Sequence, residues 1–83
     1  MTFSDEVRTH CFENYVEPAR QRGDVEVSIR AGDVHRDLRY RNRLPLVCAA
    51  LGTEIFEEMC RVECMAIDGP ANGANAVFRY KNQ

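Results

Sequence analysis

Four thiols, Cys11, Cys48, Cys60 and Cys64, and two imidazoles, His10 and His35, are the side chains of this sequence best suited to hold a metal or attack a substrate. Zinc sites usually draw on two closely spaced ligand pairs, each with a tight turn between its members. Only Cys60-x3-Cys64 approaches that spacing, and it puts Cys60 on a helical stretch and Cys64 in a strand-like one. Cys11 and Cys48 fall in apolar stripes, where an unbridged cysteine serves as a small buried hydrophobe. The expectation is no metal, no cofactor and no disulfide framework. Asp33-x-His35 is the one compact acid/base pair, of a kind nucleases and hydrolases use. The stronger reading has Asp33 capping a helix from which His35 points outward. The stretch Asp68-Gly69-Pro70-Ala71-Asn72-Gly73 lacks the Lys-Ser/Thr of a phosphate-cradling loop. With 83 residues the chain has little room for an enclosed pocket, so we expect no enzymatic activity.

The arginines are more informative. The chain is weakly acidic, with a net charge of −2, but the charge is unevenly spread. Residues 1–19 set Arg8 against Asp5, Glu6, Glu13 and Glu17. Residues 20–43 hold Arg20, Arg22, Arg30, Arg36, Arg39, Arg41 and Arg43 against Asp24, Glu26, Asp33 and Asp37. The remainder returns to an acidic balance, with Glu54, Glu57 and Glu58 close together. Arginine in place of lysine favours phosphate and planar contacts over general solubility. A solvated basic face is the plainer explanation of the same run.

The elements that must position these groups can be read from the spacing. A first helix begins after Thr2 or Ser4, with Asp5 and Glu6 in its first turn. Val7, Cys11, Tyr15 and Ala19, four apart, are joined by Phe12 and Val16 in an apolar stripe. Pro18 predicts a kink, or a stop followed by one more turn, before Gly23-Asp24 ends the segment. Val25, Val27 and Ile29 alternate with polar residues as a half-buried strand. Ala31-Gly32 turns the chain, and Asp33 caps a short helix over residues 34–38 that buries Val34 and Leu38. Tyr40 lays its ring on the apolar layer with its hydroxyl in water.

The next helix starts at Asn42 as its cap, with Pro45 in the first turn and Leu44, Leu46, Val47, Ala50 and Leu51 making it apolar nearly all round. After Gly52-Thr53, residues 54–61 turn Ile55, Phe56 and Met59 inward, as a continuation or a separate helix. Strands over Val62–Ile67 and Asn75–Lys81 flank a Gly/Asn-rich loop, with Ala76, Phe78 and Tyr80 on one face of the last strand. With residues 25–30 they make a three-stranded antiparallel sheet.

Helix, strand, helix, helix, strand, loop, strand is the order of a winged helix-turn-helix domain, and the chain resembles that superfamily over nearly its whole length. The resemblance implies a small α+β fold, three helices packed on a three-stranded antiparallel sheet in a single domain over residues 1–83. It further implies a regulatory or accessory module that binds nucleic acid, double-stranded DNA in the first instance. Arg41, Asn42 and Arg43 would open the recognition helix, where Arg reads guanine and Asn reads adenine. Arg30, Arg36 and Arg39 would contact phosphates, and Asn72 and Asn75 would be wing contacts. Few arginines make such binding weak and salt-sensitive. The alternative is a protein-docking module that uses the same scaffold without DNA. Homodimerisation is common among such domains, though no residue here demands it. No apolar run reaches membrane-helix length and the start is acidic, so the chain is expected to be cytoplasmic, off the membrane.

Overall fold

A computed structural model of the chain describes residues 2–70 and 73–82. Helix α1 (Phe3–Cys11), a π-helical turn (Phe12–Val16) and α2 (Glu17–Gln21) keep helical backbone angles across their junctions and form one rod. Thr2 caps it, accepting a hydrogen bond from the Asp5 N–H at 3.1 Å. Asp5 and Glu6 follow in the first turn, where the helix dipole favours acids. Pro18 has no N–H to give the ladder. In place of a stop, the helix widens just ahead of it, where the Glu17 N–H reaches back to the Phe12 carbonyl. The rod ends as expected at Gly23, whose φ of +80° lets its N–H and that of Asp24 turn back onto the carbonyls of Arg20 and Ala19.

Strand β1 (Glu26–Arg30) runs straight into α3 (Ala31–Asp37) without the expected turn. Asp33 lies inside the first turn of that helix, not at its cap. The reason is long-range. The N–H groups of Ala31 and Gly32, orphans at any helix start, donate to the carbonyls of Ala76 and Ala74, both at 2.9 Å. Gly32 permits this approach, since a Cβ there would lie 2.6 Å from the Ala74 oxygen. Val25, expected to face inward, precedes the strand and is exposed.

Helix α4 (Leu44–Leu51) has Arg43 at its cap position and no side-chain cap. Asn42 does not cap it, because its left-handed φ of 54° belongs to the preceding turn. Helix α5 (Glu54–Cys60) is separate: Thr53 is extended, donates to the Ala50 carbonyl at 2.9 Å and accepts from the Phe56 N–H at 3.3 Å. Its buried pair is Phe56 and Cys60. Ile55 and Met59, expected inward, are 58% and 44% exposed, because each precedes a buried residue by one and so sits about 100° round the helix. With the rod counted as one, the described residues form four helices, one more than the sequence suggested.

Strands β2 (Val62–Asp68) and β3 (Val77–Asn82) complete a three-stranded antiparallel sheet in the order β1-β3-β2. Val27 and Cys64 both stand opposite Tyr80, and Ile29 opposite Phe78. A bulge at Met65 shifts the register so that Ala66 meets Arg79. The inner face (Val27, Ile29, Val62, Phe78, Tyr80) packs with Val7, Cys11 and Val16 of the rod, Val34, Val47, Leu51 and Phe56 into one core. None of the four cysteines forms a disulfide, and Cys11, Cys48 and Cys60 are buried.

Tyr80 occupies the centre of that core. It is fully buried, its ring lies 5.2 Å from Phe56 and 6.5 Å from Phe78, and its hydroxyl donates to the Leu51 carbonyl at 2.6 Å. Arg20 makes a matching closure at the end of α5, donating to the carbonyls of Cys60 and Arg61. Replacing Tyr80 by Phe should cost about 1–3 kcal/mol, because the Leu51 carbonyl is left buried without its donor. Urea denaturation checks this, with an unchanged slope. The alkaline limb of stability follows from the same burial. Burial pushes the Tyr80 phenol well above its ordinary value and the Cys60 thiol up to about 11. Both stay protonated in the fold while the unfolded chain ionises near pH 9–10. Stability should hold below that range and fall as pH rises beyond it, which thermal melts at stepped pH measure.

Candidate nucleic-acid interface

Six residues, 38–43, join α3 to α4, and the sequence-expected recognition residues lie among them. α3 closes as the first rod does: the Arg39 N–H donates to the Arg36 carbonyl and the Tyr40 N–H to the His35 carbonyl. The left-handed position that Gly23 fills in the rod is filled here by Arg39, φ 57°. A side chain other than glycine is disfavoured there, by roughly 1–2 kcal/mol. Asn42 is left-handed as well, which its short polar side chain tolerates better. The far end of the turn is pinned by His35, whose Nε2 accepts the Arg43 N–H at 3.1 Å. His35, expected to point outward, is half-buried with its ring nitrogen on a backbone amide, and Asp33 pairs with Arg30 at 2.9 Å.

The turn packs against the start of the rod. Tyr40 sets its ring edge-on to Phe3 at 5.6 Å and, at the surface, donates its hydroxyl to Glu6 at 2.6 Å. Burial, then the Glu6 carboxylate, push this phenol up to about 12. Arg43 lies 4.4 Å over the Phe3 ring, an aromatic–guanidinium contact that holds the charge at the surface. Phe3 itself is 47% exposed beside it. Nothing in the sequence pattern singled out Phe3. Its contact with Arg43 joins the rod to the turn that opens α4, and only its position beside Thr2 at a helix start hinted at a surface site.

The structure divides the candidate arginines into those already bonded and those available. Arg30 is spent twice, on Asp33 and on the Asn75 side chain at 2.7 Å, which also occupies Asn75. Arg36 is largely exposed and makes only long contacts, 3.6 Å to Asp33 and 3.7 Å to Asp37. The side chains of Arg39 and Arg41 are exposed and make no hydrogen bond or ion pair with the described residues. Arg39, Arg41, Asn42 and Arg43 thus share one turn. Arg30 and Asn75 sit at the opposite end of α3, roughly 10 Å away by the rise of a seven-residue helix. Asn72 lies outside the described residues. Elsewhere Arg8, Arg22 and Arg79 pair with Asp5, Asp24 and Asp68.

Asp37 supplies a second anchor that the sequence did not reveal. It accepts from the Tyr15 hydroxyl at 2.8 Å and pairs with His10 at 3.3 Å, tying the end of α3 to the π turn. The Tyr15 hydrogen bond, then His10, hold this carboxyl below its usual range against the opposing effect of burial. No group of three or more His, Cys, Asp or Glu side chains among the described residues could hold a metal ion. No described helix is long and apolar enough to cross a membrane.

Comparison with family models, with curated proteins and with solved structures found no match to this chain. Because His35 holds the amide that begins α4, His35→Ala should loosen the turn before it loosens the core. A loss of about 0.5–1.5 kcal/mol is expected, together with faster hydrogen exchange at Arg43 than at Val47.

Proposed function

We propose that this chain is a winged-helix-like module that binds nucleic acid, double-stranded DNA in the first instance, through the turn over residues 38–43. The observation that carries the proposal is the exposure of Arg39 and Arg41, without a hydrogen bond or ion pair among the described residues, beside the surface-held Arg43. Most other arginines are tied to carboxylates or carbonyls, so the available positive charge is concentrated here. The left-handed backbone at Arg39 adds weight. A glycine would relieve the strain and an arginine keeps it, as happens where the side chain serves a purpose. The element order and the sheet order β1-β3-β2 suit a winged helix with α5 added ahead of the hairpin. On this reading Arg41, Asn42 and Arg43 meet base edges or the groove, Arg36 and Arg39 meet phosphates, and Arg30 with Asn75 steady the hairpin in place of touching the ligand.

On this reading the module acts in the cytoplasm, without chemistry of its own and without a cofactor. A protein-docking role without DNA is the second reading. It draws on the exposed Ile55 and Met59 beside the glutamates of α5.

The test is fluorescence anisotropy with random duplex DNA at two salt concentrations. Wild type should bind weakly at low salt, with a log–log slope of about 0.9 per phosphate engaged. The triple variant Arg39→Ala, Arg41→Ala, Arg43→Ala should lose at least about tenfold in affinity and show a shallower slope, while Arg79→Ala, which removes a paired arginine on the sheet, should not. Equal binding by wild type and the triple variant would remove the nucleic-acid reading.

A further inference from the structure

A second surface lies past the other end of α4. A concavity of about 320 Å³ is lined by Glu54, Glu57, Glu58, Arg61, Val62 and Glu63. On α5 the residues Glu54, Glu57 and Glu58 share one stripe by their 3–4 spacing, and Ile55 and Met59 form the adjoining stripe. Both apolar side chains are exposed although they belong to a helix with a buried face of its own. Glu57 is partly committed, accepting the Cys64 N–H at 3.0 Å. The side chains of Glu54, Glu58 and Glu63 make no hydrogen bond or ion pair with the described residues. An acidic rim beside an apolar strip fits an occupant that presents arginines beside an apolar group.

The same molecule carries that complement. At the N-terminal end of α4, Arg43 lies over the half-exposed ring of Phe3, in the turn that also carries Arg39 and Arg41. The acidic surface begins just beyond the C-terminal end of the helix, about 12 Å along its axis. The two surfaces flank opposite ends of one element, so one copy does not readily satisfy itself. We propose that a second copy of this chain docks its 38–43 turn on the α5–β2 concavity of the first. The guanidinium groups would face Glu54, Glu58 and Glu63, and Phe3 would rest on Ile55 and Met59, where methionine sulfur favours an aromatic ring. The contact joins unlike surfaces, so it closes only where both copies dock reciprocally and otherwise propagates head to tail. It occupies the arginines assigned above to nucleic acid, so polyanion and neighbouring copy compete for them.

Sedimentation velocity over a range of protein concentration and salt tests this without reference to DNA. Wild type should show a mass average rising from the 9.5 kDa monomer towards twice that value or more at low salt, and returning to monomer as salt is added. Glu58→Arg with Glu63→Arg should abolish the association, as should Arg39→Glu with Arg41→Glu. These glutamates are chosen because Glu54 favours the start of α5 and Glu57 holds the Cys64 amide. An equimolar mixture of the two double variants should associate again, since each supplies the charge the other has lost, and circular dichroism confirms that both are folded. A wild type that stays monomeric at every concentration, an association that neither double variant weakens, or a mixture that stays monomeric would each overturn the proposal. Duplex binding by wild type, at a dilution where sedimentation shows monomer, reports separately on the nucleic-acid reading, because it needs no second copy and no added positive charge.

Discussion

The hydroxyl of Tyr80 is buried where water cannot satisfy it, so it must find an acceptor within the protein. It finds the carbonyl of Leu51, the last residue of α4, which has no helical partner of its own. One bond meets two obligations and fixes the end of α4 over the central strand of the sheet. Phe56 and Phe78 pack around the same ring, so α5 and the inner face of β3 take their positions from it. The opposite end of α4 is set by His35 at the Arg43 amide. The arginine turn is therefore held at a defined distance from the sheet by a short helix secured at both ends.

How far the sequence foretold this depends on the range of the interaction. Alternation in Ala76, Phe78 and Tyr80 marked the inner face of β3, and Thr2 and Gly23 marked the ends of the first rod, because these signals are local. The start of α3 was misplaced, since the groups that satisfy its first N–H donors are the carbonyls of Ala74 and Ala76, more than forty residues further on. Asn42 looked like a cap, yet its left-handed backbone closes the preceding turn. On α5, Ile55-Phe56 offered two apolar neighbours for one inward position, and the fold chose Phe56 because Tyr80 was there to receive it.

The candidate site was legible in its location and much less so in its membership. Counting arginines places positive charge over residues 20–43 without saying which guanidinium groups are already engaged. Arg20 and Arg30 contribute as much to that count as Arg39 and Arg41, but one closes the end of α5 and the other braces Asp33 and Asn75. Availability is a property of the folded state, because it depends on partners that come from other elements. The part of the turn formed by Phe3 and Tyr40 has the same origin and left no periodic trace.

The carboxylate of Glu57 on the Cys64 amide bears on how the sheet meets its surroundings. β2 is an outer strand, and an unguarded outer strand invites further strands to add to it until fibres form. Here one of its outward donors is already occupied by a negatively charged neighbour, and the bulge at Met65 spoils the flat geometry an incoming strand would need. A small protein with exposed methionine and isoleucine on that strand thus carries its own guard against aggregation.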